Sequence, residues 1–100
     1  ENGFLDNVTK MGNKLMKEIE ILSQDYPSII KGVRGKGLMI GIICNVSNVE
    51  LCTNLRDQGL LSVPAGNNVL RFLPPLNIEY EHIEICTKIL KQTLDHMLAE

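Results

Sequence analysis

The chain has no tryptophan, only four aromatic residues in 100, and only three cysteines. Each scarcity removes a class of function. Few aromatics means no platform on which nucleic-acid bases could stack, and 10 lysines and arginines are interspersed among 12 acids, so no basic stripe meets a phosphate backbone. No apolar run approaches the roughly 20 residues that a membrane-spanning helix needs. The opening residues, Glu1 to Asp6, have neither the basic start nor the apolar centre of a secretory leader. Cys44, Cys52 and Cys86 are odd in number and stand at no metal-ligand spacing. Each lies in an apolar or helical run, which predicts free thiols in a reducing cytoplasm. Asn7-Val8-Thr9 and Asn45-Val46-Ser47 match the glycosylation pattern, read as chance matches where no leader is seen.

What is present suits one small domain with a modest core. Phe4, Val8, Leu15, Ile19 and Leu22 recur at three- and four-residue steps, with Met11 and Gly12 in the same stripe. This predicts an amphipathic helix over Phe4–Gln24, about 30 Å long, stopped before Pro27. The glycine-rich stretch after Ile29 reads as a turn. Leu38–Cys44 reads as a strand with both faces apolar, which wants cover on both sides. Asn48–Gln58 reads as a short helix ended by Gly59. Leu60–Val63 and Val69–Leu73 read as a hairpin around Pro64-Ala65-Gly66-Asn67-Asn68, several of which suit positive φ. Asn77 caps a last helix over Ile78–Leu98, with Ile83, Cys86, Leu90, Leu94 and Met97 as its buried stripe. The expected fold is α+β, a two-layer sandwich of order α-β-α-β-β-α. Its small, mostly antiparallel sheet carries helices on one face.

Most chemical signals dissolve in context. Gly35-Lys36-Gly37 with Gly41 mimics a dinucleotide fingerprint, but these glycines open a strand instead of a helix. His82 and His96 lie far apart on the last helix. Glu79, Glu81 and Glu84 suit the positive end of that helix without catalysis. Lys10, Lys14, Lys17, Lys88 and Lys91 occupy polar faces, without the apolar surroundings that lower a lysine's pKa. No nucleophile and no acid–base pair emerges.

Val69-Leu-Arg-Phe-Leu-Pro-Pro-Leu76 is different. Arg71 sits in an otherwise apolar strand that a double proline ends. Burying a guanidinium without an anion is costly, and its planar fork suits a carboxylate or phosphate. Two readings follow: a ligand grip, or a structural ion pair with an acid from a neighbouring element.

Val33-Arg-Gly-Lys-Gly-Leu-Met-Ile-Gly-Ile42, then Gly59-Leu60-Leu61, then Val69 to Leu76, stand in that order. Together they resemble the C-terminal small domain of the class III pyridoxal-phosphate aminotransferases, over nearly the whole chain. The resemblance implies that residues 1–100 are a single small domain of a larger enzyme, with a leading helix at 1–25 suited to bridge to a large domain. It implies that pyridoxal phosphate is bound by that large domain, which also carries the reactive lysine, so that this piece alone is inactive. By position, Arg71 matches the arginine that grips the substrate α-carboxylate, while Arg34, Gly35 and Gly37 match a strand-opening turn read as structural. In the branch it resembles most, an amino group passes between N-acetylornithine and 2-oxoglutarate in arginine biosynthesis. The implied setting is a cytoplasmic homodimer acting on small amino-acid and 2-oxo-acid substrates. The alternative from another class is a stand-alone α+β regulatory or binding module that recognises a small anion.

Overall fold

The computed structural model describes residues 2–36, 39–72 and 79–99. Helix α1 spans Asn2–Ser23. Met11, Leu15, Ile19 and Leu22 are buried, as the stripe requires. The helix unwinds through a turn in which the Tyr26 amide donates to Ser23 O at 3.0 Å, just before Pro27.

Strands β1 (Ile30–Lys36) and β2 (Met39–Cys44) then pair antiparallel. The expected turn after Ile29 is therefore a strand, and the element order is α-β-β-α-β-β-α. The α+β class stands; the order gains one strand. Glycine is needed here for space and does not break the strand. A Cβ on Gly35 would lie 2.3 Å from the Met39 carbonyl oxygen and 3.3 Å from Met16 Sδ on α1. Only glycine lets the second strand and the helix approach this closely. Gly37 and Leu38 lie outside the described residues.

Helix α2 covers Asn48–Asp57 and buries Leu51 and Leu55. It ends at Gly59 (φ 94), with the Gly59 amide on Arg56 O and the Leu60 amide on Leu55 O, each at 2.9 Å. This paired closure matches the glycine stop expected from the sequence. Strand β3 is Val63–Ala65, displaced from the expected Leu60–Val63. Leu61 is 77% exposed and outside the sheet, whereas Pro64 lies within it. Proline is tolerated because β3 is an edge strand in the order β1-β2-β4-β3. A 3₁₀ turn, Gly66–Asn68, leads into β4, Val69–Phe72. Helix α3 spans Tyr80–Ala99 and buries Ile83, Leu90 and Leu94, with Cys86 and Met97 half-buried beside them. The expected proline stop at Pro74 and Pro75 and the Asn77 cap lie outside the described residues.

All three strand pairings are antiparallel. Ile40, Ile42, Leu70 and Phe72 project from β2 and β4 into one cluster with the stripes of α1, α2 and α3. The helices therefore cover one sheet face. Tyr26 anchors the α1–β1 turn to α3. Its hydroxyl donates to the Asp95 carboxylate, whose other oxygen accepts from Lys91 Nζ at 2.9 Å. The Tyr26 bond, then Lys91, holds the Asp95 carboxyl below its ordinary range, and the same bond with burial raises the Tyr26 phenol.

Two outcomes follow. A depressed carboxyl contributes stability above its unfolded pKa of about 3.9 and loses it as pH falls through the lower folded value. Asp95→Asn should lower Tm at pH 7 and flatten the acid limb of a Tm–pH curve, modestly, since Asp95 and Lys91 are solvent-exposed. Gly35→Ala should destabilise sharply in thermal denaturation. Gly66→Ala, where an added Cβ meets nothing within 4 Å, should stay within about 0.5 kcal/mol of the parent.

Candidate functional site

Residues directly opposite in an antiparallel ladder share a face. Arg34 pairs with Gly41, Gly41 with Arg71, and Arg71 with Val63. One row thus crosses all four strands on the face away from the helices, with a guanidinium on each side of a glycine. At about 4.8 Å between strands, the two arginine Cα atoms stand roughly 10 Å apart. Gly41 makes the dip between them. A Cβ there would lie 3.1 Å from Val69 Cγ1 and 3.8 Å from Arg34 Cγ, so the Arg34 stem passes beside the glycine.

The row opens into a depression of about 570 Å³, walled by Arg34 and Gly35 on one side, Ala65 to Asn67 on the other, and Arg71 between. Its far wall is the turn before β4. Asn67 and Asn68 both have φ 60 there, a left-handed conformation that asparagine tolerates better than most residues. The expected suitability of this segment for positive φ is realised at those two residues.

Arg71 is exposed, between buried Leu70 and Phe72. Its apolar neighbours on the chain point to the other face, so the expectation of a guanidinium stranded in apolar surroundings is corrected. Ion pairs among the described residues join Lys14 to Glu18 at 3.7 Å and Lys91 to Asp95 at 2.9 Å; neither involves Arg34 or Arg71. The structural turn expected at Arg34 is corrected. Arg34 lies inside β1 instead and lines the same depression as Arg71. Alternation of Val33 and Arg34 across a strand was the signal, hidden by the flanking glycines.

Other candidates are less apt. A depression of about 520 Å³ between α1 and α3 mixes Lys14, Lys88 and Lys91 with Glu18 and Glu84. His82 Nδ1 accepts the Glu79 amide at 2.9 Å and so caps the start of α3. All three thiols are free; burial pushes Cys44 up to about 11 and raises Cys86, so neither of these two is activated.

The family model described as aminotransferase class-III matches residues 1–94. The chain belongs to the class III aminotransferases. It is 42% identical over 97 residues to the acetylornithine aminotransferase of Prochlorococcus marinus subsp. pastoris, covering 94% of this chain and 23% of that protein. It is 40% identical over 78 residues to that of Mesorhizobium japonicum, covering 78% of this chain and 20% of that one. The crystal structure of acetylornithine aminotransferase from Elizabethkingia anophelis superposes with a TM-score of 0.85 at 34% identity, over 95% of this chain and 26% of that one. This class III aminotransferase chain thus spans about a fifth to a quarter of the length of these relatives.

Cys44, in the core cluster between the sheet and the helices, offers a check on the packing behind the site. With a thiol pKa of about 11 and 5% exposure, only ~10⁻³ of it is thiolate at pH 8. Maleimide should leave Cys44 unlabelled in the native protein and label it after denaturation, as read by peptide mass spectrometry.

Proposed function

We propose that this chain is the C-terminal small domain of an acetylornithine-type aminotransferase, and that Arg71 grips the substrate α-carboxylate. One observation carries the reading: Arg71 faces an open depression, across a glycine from a second arginine, and no described acid pairs with either. A carboxylate seated there meets two parallel N–H donors from the Arg71 fork. Arg34 adds positive potential across the dip and steers the anion inward. N-acetylornithine and 2-oxoglutarate both present an α-carboxylate, so one grip serves both half-reactions and orients the reacting carbon in the same way.

The residues lining the depression do not by themselves fit pyridoxal phosphate: they include no lysine to meet its aldehyde and no acid to meet its ring nitrogen. We assign both groups to a large domain beyond this chain. When bound there, the cofactor supplies the electron sink for the reaction. The described residues bind and orient. The full-length protein is read as a cytoplasmic homodimer of arginine biosynthesis, with this piece inactive alone. The aminotransferase relatives favour this reading over a free-standing anion-binding module.

In the full-length protein, Arg71→Ala should cut kcat/KM for N-acetylornithine and 2-oxoglutarate by about 2–5 kcal/mol. Arg71→Lys should fall between, since it keeps the charge and loses the fork. Steady-state kinetics check both, and an unchanged kcat/KM in Arg71→Ala removes Arg71 from the site.

A further inference from the structure

We infer that Asn48 and Asn68 are positioning residues for Arg71: a side-chain clasp between them fixes the strand that carries the arginine and the turn that walls its depression. The inference rests on the carboxylate-grip reading. Five hydrogen bonds form the clasp. Asn68 Oδ1 accepts from the Asn48 amide at 2.8 Å, and Asn68 Nδ2 donates to Cys44 O at 2.9 Å and Val46 O at 2.7 Å. Asn48 Nδ2 answers by donating to Ala65 O at 2.9 Å and Val69 O at 3.0 Å. Three segments are tied at once: the end of β2, the start of α2, and the turn into β4.

Local structure shows why these groups are free to do this. Ser47, the cap residue of α2, makes no side-chain cap bond. The amide of Asn48 is one of the first-turn donors that a helix cannot satisfy internally. Asn68, from a different element 20 residues on, supplies the acceptor. Its left-handed backbone turns its side chain away from local capping and toward β2.

The bonded carbonyls lie where the site is sensitive. Ala65 is part of the far wall, and Ala65 pairs with Val69, two residues before Arg71. Val69 Cγ1 already stands 3.1 Å from the point where a Cβ on Gly41 would sit, so the spacing of β4 against β2 sets the dip between the two arginines. Positioning groups must hold a reacting geometry to within about 0.5 Å. A turn freed from five bonds does not.

The test uses the full-length protein. Asn68→Gly keeps the left-handed backbone and removes the side-chain bonds. It should raise KM for 2-oxoglutarate and N-acetylornithine roughly tenfold, the loss of one or two net hydrogen bonds, and by more than it changes kcat. An amine donor without an α-carboxylate should show the same KM in variant and parent. Asn48→Ala removes the two bonds to Ala65 O and Val69 O and leaves the three made by Asn68, so it should raise KM in the same direction by less, and the double variant should exceed either single. Asn68→Asp keeps the acceptor but sets a carboxylate oxygen against the Cys44 and Val46 carbonyls, so it should raise KM at least as much as Asn68→Gly; Asn48→Ala stands in where the Asn68 variants fail to fold. A lower Tm with unchanged KM, in an assay where Arg71→Ala raises KM, makes the clasp merely structural and overturns the inference. Unchanged KM in Arg71→Ala overturns the grip and the clasp together.

Discussion

Antiparallel pairing of β2 with β4 decides which side of the sheet every residue of the site faces. Ile40 stands opposite Phe72 and Ile42 opposite Leu70, and all four enter the core. Side chains alternate with a period of two, so the residues between them must face outward. A slip of one residue would drive Arg71 into the apolar cluster and lift Leu70 and Phe72 into water. Burial of those side chains, each worth about 1.5–3 kcal/mol, is what keeps the arginine on the open face. The core and the site are two consequences of one register.

The same register explains why two guanidiniums tolerate one another. They lie on β1 and β4, with β2 and its glycine between them. Facing water, two charged side chains rooted roughly 10 Å apart repel weakly, because water and salt screen them. Facing water also limits their hold on an anion: a unit pair at 4 Å gains about 1 kcal/mol in bulk water and about 4 at an effective dielectric of 20. The face as it stands attracts a carboxylate weakly and gains strength with whatever excludes solvent from it.

The helices were legible in the sequence because a 3.6-residue stripe is a local property: Met11, Leu15, Ile19 and Leu22 declare α1, and Ile83, Leu90 and Leu94 declare α3. Gly59 as a helix stop was legible for the same reason. Strand β1 was not, because its glycines read as breakers, while the reason for Gly35 is a carbonyl on another strand, that of Met39. Losing β1 hid the partnership of Arg34 with Arg71. Strand β3 was displaced because Pro64 is a turn residue by local rules and an edge-strand residue by its place in the sheet. Arg71 was conspicuous from its neighbours alone, but the direction of its side chain needed the register. The Asn48–Asn68 clasp spans 20 residues and leaves no local mark.

Pro64 has a consequence for the molecule's neighbours in solution. A sheet ends in unpaired backbone groups that invite a strand from another copy. On the β3 margin the central residue of three is a proline, which has no amide hydrogen to offer. The opposite margin, β1, carries exposed Lys31 and an irregular register between Ile30 and Gly32. Both rims thus carry features that oppose pairing with a strand of another copy, while among the described residues the helices cover only one face of the sheet.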